Sequence, residues 1–327
     1  MKIGILFSGQ GSQYPGMGNN LYENYEPARQ VFDEAGDDIK EWCFNGTKEI
    51  LRKTHITQPS VYTVSMAAYK SFMDQLKKNV PEAKITSMAG FSMGEYAALT
   101  AAGVIENFHT ALEIIRKRGK YMTEAGLDEN GEPMGAMAAA FGKRENILKC
   151  VDALRADGIL ECVNFNSPIQ TAVAGDIASI NRLKEGGREY GIKVKVLSVS
   201  SAFHSSMMNP ASDKLRAEID NLTFNSPKYK VYSNITGRDM MEDKPSDISD
   251  SDWIKNRLAM QIKSPVYWQE TIQNMRNDGI DLYVEVGPGK TLSGLAGKTV
   301  KDAKELHVED KESMEKTISQ IKEDINE

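Results

Sequence analysis

A serine flanked by two glycines, directly after a run of β-type residues, is the feature that most restricts the fold of this 327-residue chain. The segment GFSMGEYAAL (90–99) places Ser92 between Gly90 and Gly94; a strand-like run precedes it and an alanine-rich, helix-like run follows it. A nucleophilic serine at a sharp strand-to-helix turn needs small neighbours two residues away on either side, because the backbones approach closely there. The pentapeptide alone leaves an ordinary structural turn as an equal alternative.

Strand-like and helix-like segments alternate on both sides of that turn. The apolar run 2–7 is a predicted buried strand that the glycine-rich turn 9–13 ends, and apolar residues recur at helical spacing over 58–78. A second strand is predicted over 85–91 and a further helix over 106–125. This alternation predicts an α/β unit whose sheet is mostly parallel.

The middle of the chain has a pattern of its own. Four predicted strands and two predicted helices follow one another in the order β-α-β-β-α-β, which is the ferredoxin-like order. Their predicted bounds are 134–141, 144–156, 159–165, 170–174, 177–190 and 192–199. We therefore predict an α/β fold in which a hydrolase-like large subdomain, residues 1–130 and 200–327, carries an inserted ferredoxin-like small subdomain, residues 131–199.

The C-terminal third returns to the character of the first. Its predicted elements are helices over 210–222, 253–262 and 267–277 and a short strand over 282–286. The last segment, 310–327, is an amphipathic helix whose apolar face carries Met314, Ile318, Ile321 and Ile325. We expect that face to pack on the body of the protein rather than on a membrane.

Charge and cysteine content exclude several classes of function. The formal net charge is −6, whereas a nucleic-acid-binding protein would carry a basic excess. The three cysteines, Cys43, Cys150 and Cys162, form no CxxC pair and so predict neither a disulfide framework nor a metal site. No apolar run approaches the length of a membrane span, and the first residues lack a signal-peptide cleavage pattern. We expect a cytoplasmic protein that binds neither nucleic acid nor membrane.

A serine nucleophile needs a base, and the chain has four histidines. His204 follows a predicted buried strand, at the kind of strand end where α/β enzymes place catalytic groups. His55 is expected in a polar loop, His109 on a helix surface and His307 in a charged segment. A lone loop histidine is more often structural than catalytic, so position alone nominates His204 without deciding its role.

Two other segments supply groups that such a site could use. The turn 9–13 can aim backbone amides into the mouth of a site; a plain tight turn and a phosphate-cradling loop are alternatives, although the GK[ST] ending of a P-loop is missing. Arg118 lies in a basic cluster on a predicted helix, most of which we expect to face solvent. One inward-facing guanidinium there could hold a carboxylate through two parallel hydrogen bonds.

Seven segments, in order along nearly the whole chain, resemble one family: the malonyl-CoA:acyl carrier protein transacylases of fatty-acid synthesis and the related acyltransferase domains of polyketide synthases. The segments are GQGSQ, GFSMGEYAALTAAGV, RKRGKYM, NFNSPIQTAVAG, SAFHSSMM, QIKSPVYW and VEVGPGKTLSGL. Seven matches in order are far more specific than any one of them. The resemblance implies transfer of malonyl groups from coenzyme A to acyl carrier protein, which supplies extender units for fatty-acid synthesis.

Carried over position by position, the resemblance assigns roles to nine residues. Ser92 is the expected nucleophile and His204 its general base and later acid, oriented by the backbone carbonyl of Gln261 in place of an acidic side chain. The backbone amides of Gln10 and Met93 are the expected oxyanion hole. The remaining assignments are Arg118 for the malonyl carboxylate and Phe91, Asn166 and Phe203 for the substrate pocket.

The implied mechanism is ping-pong. Ser92 would attack the malonyl thioester, coenzyme A would leave, and the phosphopantetheine thiol of acyl carrier protein would attack the malonyl-serine ester. Neither a metal nor a cofactor is implied, because positioning and charge stabilisation suffice for exchange between thioester and ester. Phe203 resembles the AFH pattern of malonyl-selective acyltransferases and so favours malonyl over methylmalonyl. We expect a monomer whose partners are malonyl-CoA and acyl carrier protein.

One position departs from the family pattern, because Phe91 stands where the family usually has histidine. Phenylalanine keeps the bulk but cannot form a hydrogen bond, so we expect an active enzyme and leave open an altered rate or acyl preference. The alternatives are a stand-alone acyltransferase or acyl hydrolase of a polyketide pathway, and a non-catalytic docking module for acyl carrier protein. Arg118 disfavours the hydrolase, since an enzyme that removes simple acyl groups gains nothing from a carboxylate clamp.

Overall fold

The computed structural model of the chain describes residues 1–199 and 201–326. The strands are β1 (Lys2–Phe7), β2 (Lys84–Gly90), β3 (Gly135–Phe141), β4 (Leu160–Ser167), β5 (Gln170–Asp176), β6 (Lys193–Val196), β7 (Lys230–Tyr232), β8 (Leu282–Val286) and β9 (Lys304–Val308). The α-helices are α1 (Asn19–Asn24), α2 (Glu26–Ala35), α3 (Asp37–Asn45), α4 (Lys48–Leu51), α5 (Thr54–Asn79), α6 (Gly94–Ala101), α7 (Phe108–Ala125), α8 (Arg144–Leu154), α9 (Ile177–Gly186), α10 (Asn209–Ile219), α11 (Asp250–Gln261), α12 (Trp268–Asn277), α13 (Thr291–Thr299) and α14 (Lys311–Asn326). Ser200 and Glu327, the two ends of the predicted third segment of the chain, lie outside the described residues.

The larger sheet is parallel throughout, with the strand order β7-β2-β1-β8-β9. Its central strand β1 is a continuous apolar run with every residue after Lys2 buried, as expected where helices cover both faces of a parallel sheet. Phe7 and Gly90 are register partners at the ends of β1 and β2. The turns that follow these two strands therefore meet at one edge of the sheet, which is where α/β folds place their ligands.

The smaller sheet is antiparallel, with the strand order β4-β5-β3-β6, and α8 and α9 complete the β-α-β-β-α-β order. The predicted fold class, a mostly parallel α/β unit with a ferredoxin-like insert, is confirmed. The two units are joined by backbone hydrogen bonds, because Val266 donates to the Val163 carbonyl (2.8 Å) and Phe165 donates to the Val266 carbonyl (2.9 Å). This contact fixes strand β4 beside the larger unit.

Several element bounds differ from the prediction. The helix expected over 58–78 begins four residues earlier, at Thr54, so His55 lies in the first turn of α5 and not in a loop. Pro59 lies inside α5 and not at its start, although proline is favoured in a first helical turn. His307 lies on strand β9. No sequence prediction covers α1–α4, β7, α13 and β9. Elements α1, α4, β7 and β9 have six residues or fewer and α13 contains two glycines, whereas α2 has buried residues at helical spacing, Ala28, Val31, Phe32 and Ala35, that the prediction overlooked.

The C-terminal helix α14 packs on the body, as predicted. Ile321 is fully buried and Met314 and Ile318 are at most 9% exposed. No helix among the described residues is both long enough and apolar enough to cross a membrane.

Candidate active site

The turn between β2 and α6 holds Ser92 in a left-handed backbone conformation, with φ of 53°. A Cβ on Gly90 would lie 1.9 Å from the Gly94 carbonyl oxygen, and a Cβ on Gly94 would lie 2.4 Å from the Phe7 carbonyl oxygen. Only glycine fits at either position, which is the physical reason for the G-x-S-x-G spacing. The turn projects a serine in a strained conformation at the edge of the sheet.

Ser92 and His204 are in direct contact although 112 residues separate them. The Ser92 Oγ lies 2.7 Å from His204 Nε2, and His204 Nδ1 lies 2.9 Å from the backbone carbonyl oxygen of Gln261. A carbonyl only accepts, so Nδ1 carries the hydrogen and Nε2 of the neutral ring is left to accept from the serine hydroxyl. His204 also has a positive φ, 61°.

The imidazole of His204 is held in its neutral form. Burial, and then the positive charge of Arg118, lower the pKa of His204 to about 4, because both penalise the imidazolium. The ring is therefore a free base at neutral pH.

Arg118 lies on α7 and is fully buried. Its Nη1 donates to Gln58 Oε1 (2.7 Å), and its Nη2 donates to Ser92 Oγ (3.1 Å) and to Gln261 Oε1 (3.0 Å). These acceptors are all neutral, and no carboxylate among residues 1–199 and 201–326 forms an ion pair with the guanidinium. A buried cation with neutral partners is costly, and burial lowers the pKa of Arg118. The arrangement is suited to an anionic group brought by a ligand.

Side chains also hold the backbone of Ser92 on both sides. The Ser92 amide donates to Asn234 Oδ1 (2.7 Å), and Gln261 Nε2 donates to the Ser92 carbonyl oxygen (2.7 Å). Both partners are fully buried. Gln261 thus contacts Ser92 through its side chain and His204 through its backbone.

The expected oxyanion donors, Gln10 and Met93, follow β1 and β2 respectively. Neither amide N–H has an acceptor within the described part of the chain, so both are free to donate to a ligand. The Gln10 side chain is held by Thr54 Oγ1 (3.1 Å) and by Gln58 Nε2 (3.4 Å). The GQGSQ turn is therefore anchored to the start of α5.

Two adjoining pockets lead to the serine. The inner one, of about 480 Å³, is lined by Ser92, His204 and Phe203, and the outer one, of about 790 Å³, is lined by Asn166. Both are lined by Gln10, Phe91, Asn164 and Leu197. Phe203 thus lines the same pocket as Ser92, and Asn166 lines only the outer one.

Phe91 lies at the junction of the two pockets. Its ring packs edge-on against Trp268, with 5.4 Å between the ring centroids. A Cβ on Gly9 would lie 2.5 Å from the Phe91 carbonyl oxygen, so the turn after β1 and residue 91 are in close contact. The apolar ring has an apolar partner at this position.

Three residues of this network are not predicted from the sequence: Gln58, Glu95 and Asn234. Glu95 is fully buried on the first turn of α6, and a charged residue inside an otherwise apolar helical run was the signal that could have found it. Asn234 follows the short strand β7 at the same sheet edge as Ser92. Gln58 has no comparable local signal, because only the packing of α5 against α7 brings it to Arg118.

No group of three or more histidine, cysteine, aspartate or glutamate side chains within the described ranges could hold a metal ion.

The chain matches the acyl transferase domain family over residues 5–323. It is 37% identical to the malonyl CoA-acyl carrier protein transacylase of Bacillus subtilis, over 99% of this chain and 98% of that protein. It is 35% identical to the protein of the same name from Escherichia coli K12, over 91% and 93% of the two chains.

Solved structures agree with this match. The crystal structure of the malonyl CoA-acyl carrier protein transacylase from Clostridium perfringens superposes with a TM-score of 0.88 at 35% identity, covering 99% of this chain and 98% of that one. A malonyl-transacylase solved in complex with a type II PKS acyl-carrier protein gives a TM-score of 0.88 at 30% identity, covering 98% and 100%. This chain therefore belongs to the acyl transferase domain family.

Proposed function

We propose that this chain transfers the malonyl group of malonyl-CoA to the phosphopantetheine thiol of acyl carrier protein, through a malonyl ester on Ser92, and so supplies fatty-acid synthesis. One observation carries the proposal: the Ser92 hydroxyl oxygen lies 2.7 Å from the Nε2 of a neutral histidine and 3.1 Å from a buried guanidinium. Full-length similarity to proteins named as malonyl transacylases supports the same reaction.

In the first half-reaction His204 Nε2 takes the proton of the Ser92 hydroxyl while Oγ attacks the thioester carbonyl carbon. The negative charge that forms on the carbonyl oxygen is stabilised by the amide N–H groups of Gln10 and Met93. The carbon–sulfur bond then breaks, and the imidazolium returns its proton to the leaving sulfur of coenzyme A. The products are free coenzyme A and malonyl-serine.

The second half-reaction runs the same steps in reverse with another thiol. His204 takes the proton of the phosphopantetheine thiol, the sulfur attacks the ester carbonyl, and the proton passes to the leaving Ser92 oxygen. Gln261 keeps the imidazole in the tautomer that both halves need, since its carbonyl accepts the Nδ1 hydrogen.

Arg118 selects for an acyl group that carries a carboxylate. The malonyl carboxylate would replace neutral amide oxygens around the guanidinium and remove the cost of an uncompensated buried charge. An acetyl group leaves that cost in place. This preference favours a malonyl transferase over a hydrolase of simple acyl groups.

The pocket walls suit the rest of the substrate. Phe203 lines the inner pocket beside Ser92, where its ring would crowd an α-methyl substituent. Asn166 is buried, and its Oδ1 has no hydrogen-bond partner in the described part of the structure. Phe91 would contribute contact area at the pocket junction rather than a hydrogen bond.

Acyl carrier protein as acceptor is supported by the malonyl-transacylase that was solved in complex with such a carrier. An acyltransferase or acyl hydrolase of a polyketide pathway is the alternative. The hydrolase differs in its second step, because it would pass the acyl group to water without a carrier thiol.

Intact mass spectrometry after mixing with malonyl-CoA, acetyl-CoA and methylmalonyl-CoA tests the proposal. A malonyl adduct that disappears on addition of holo acyl carrier protein, with the mass appearing on the carrier, is expected, and Ser92→Ala should form none. An adduct lost equally fast without the carrier would favour the hydrolase. Absence of an adduct with every thioester would contradict the enzymatic proposal.

The clamp is tested by Arg118→Ala. Loading of malonyl from malonyl-CoA is expected to fall by about 100-fold or more, as lost pairing of a buried charge costs about 3–5 kcal/mol. Acetyl loading should be unchanged or faster, because no unpaired cation remains in the pocket. Equal losses for both acyl groups would instead indicate general damage to the site.

A further inference from the structure

One buried carboxyl group of the site, that of Glu95, takes no part in the proposed reaction. Glu95 lies on the first turn of α6, three residues after the nucleophile, and is fully buried. Its Oε2 accepts two hydrogen bonds, from the backbone N–H of Asn234 (3.0 Å) and from Nε2 of Gln261 (3.0 Å). Its Oε1 has no partner within residues 1–199 and 201–326.

The two donors that meet at Glu95 are the same residues that hold the backbone of Ser92. Asn234 accepts from the Ser92 N–H at 2.7 Å, and Gln261 donates to the Ser92 carbonyl oxygen at 2.7 Å. One carboxylate oxygen therefore links the two residues whose side chains fix both backbone polar groups of the nucleophile, through the backbone N–H of Asn234 and the side chain of Gln261.

These hydrogen bonds hold the backbone of Ser92, which is strained. Ser92 has a φ of 53°, and a strained non-glycine residue keeps such a conformation only when its surroundings impose it. Gln261 also orients the histidine through its carbonyl oxygen. A displacement of Gln261 would therefore move the base and the nucleophile at once.

We propose that Glu95 is a positioning residue whose Oε2 locks Asn234 and Gln261 in place, and thereby sets both the strained backbone of Ser92 and the orientation of His204. The inference rests on the proposed function only in taking Ser92 as the nucleophile. Glu95 acts here as a hydrogen-bond acceptor and not as a charge.

The protonation state of Glu95 is consistent with an acceptor role. Burial raises the pKa of Glu95 to about 7, against the opposing effect of its hydrogen bonds and of the nearby Arg118 and Arg257. A proton on the unpartnered Oε1 leaves Oε2 free to accept both hydrogen bonds. Oε2 therefore accepts the same two hydrogen bonds in either form of the carboxyl group.

The rate at which a small alkyl fluorophosphonate labels Ser92, followed by intact mass, measures this role. The probe reacts with an activated serine and carries no carboxylate for Arg118, so the readout does not depend on malonyl recognition. Glu95→Leu removes the acceptor at similar volume and is expected to slow labelling about ten- to 100-fold, as for a lost buried hydrogen-bonding group. Glu95→Gln presents its amide oxygen to the same donors and should label within about threefold of the parent rate.

Two further variants separate positioning from stability. Ile321→Ala opens a cavity under α14, away from the site, and should lower the stability of the fold without changing the labelling rate of the folded protein. Asn234→Ala removes the acceptor of the Ser92 N–H, so it should slow labelling even if Glu95→Leu does not fold. Glu95 and Asn234 act through the same hydrogen bonds. A double variant with Glu95→Leu and Asn234→Ala should therefore be slowed less than the product of the two single effects.

The proposal is overturned if Glu95→Leu, or Asn234→Ala in its place, labels at the parent rate. It is also overturned if Glu95→Gln is as slow as Glu95→Leu, since the charge rather than the acceptor would then matter. A parent protein that is labelled at Ser92 but takes up no malonyl group would contradict the proposed function and leave the positioning role of Glu95 unaffected.

Discussion

At the residue scale, the Ser92 hydroxyl oxygen lies between a base and a cation. His204 accepts its proton and Arg118 donates to its lone pair, at 2.7 and 3.1 Å. Both Ser92 and His204 have positive φ, a conformation that costs about 1–3 kcal/mol for a non-glycine residue. The fold maintains this strain through hydrogen bonds to the backbone of Ser92 and to the ring of His204.

The lowered pKa of His204 predicts the pH dependence of loading. A base works only when it is neutral, and a pKa of about 4 keeps the ring neutral far below the range of an ordinary histidine. Between pH 8 and pH 5.5, kcat/KM for malonyl loading should change less than about twofold, whereas a histidine of ordinary pKa would be only about one-tenth neutral at pH 5.5.

Stopped-flow measurement of coenzyme A release across this pH range checks the prediction, with circular dichroism at each pH to follow folding. Titration of Glu95 near pH 7 is expected to have little effect, because its Oε2 accepts in both forms. A half-maximal rate near pH 6.5 in a fully folded protein would contradict the assignment of a lowered histidine pKa.

At the scale of elements, the turn from β2 to α6 delivers the nucleophile because two glycines let the chain pass against itself and against β1. A Cβ on Gly94 would meet the carbonyl oxygens of Phe7 at 2.4 Å and of Ser8 at 2.8 Å. These are backbone atoms of the central strand and of the residue after it, and they cannot rotate away.

Gly94→Ala is therefore expected to lower the free energy of unfolding by about 1–3 kcal/mol and to slow fluorophosphonate labelling of Ser92, because the turn must shift. Gly294→Ala is the matched control. Gly294 is exposed on α13 with open space around an added Cβ, so the same change should leave stability equal or raised by up to about 1 kcal/mol. Urea unfolding measures both; equal effects would contradict the steric argument.

At the scale of the whole molecule, the substrate pockets lie between two units that contribute different things. Ser92, His204, Arg118 and Gln261 all belong to the part of the chain outside residues 131–199. The smaller unit supplies pocket walls, among them Met137, Asn164 and Asn166. The division of the chain at residues 130 and 199 stays a prediction, as do the monomeric state and the cytoplasmic location.

The two units are also tied through Arg144, at the start of α8. Its guanidinium pairs with Glu270 of α12, donates to Gln269 (2.9 Å) and lies 4.3 Å from the ring centroid of Phe165. Arg144→Met should raise KM for malonyl-CoA about three- to tenfold, because the smaller unit, which supplies pocket walls, loses a part-buried ion pair to α12 contributing about 1 kcal/mol.

Labelling of Ser92 and kcat should change less than about twofold in that variant, since the nucleophile and its supports lie in the other unit. Lys149→Met is the control, because Lys149 forms an exposed ion pair with Glu145 on the same helix. If labelling and KM were impaired together, the smaller unit would also be supporting the nucleophile.

Much of the fold follows from local pattern. The apolar run of β1, the G-x-S-x-G turn and the β-α-β-β-α-β order are each written in neighbouring residues, and the structure has all three. The helices α1 and α4 and the edge strands β7 and β9 do not follow, because few residues define them and their stability comes from packing on neighbouring elements.

The sequence by itself determined that Ser92 would lie at a strand-to-helix turn and, through its resemblance to one family, which residues would accompany it. Only the tertiary structure decided that Gln58, Glu95 and Asn234 complete the site. Their hydrogen bonds to Arg118, Gln261 and the Ser92 N–H join residues 60, 166 and 142 positions apart, and no local spacing encodes such contacts. The strain at Ser92 and the neutrality of His204 were likewise decided there, because both depend on burial and on charges supplied by distant segments.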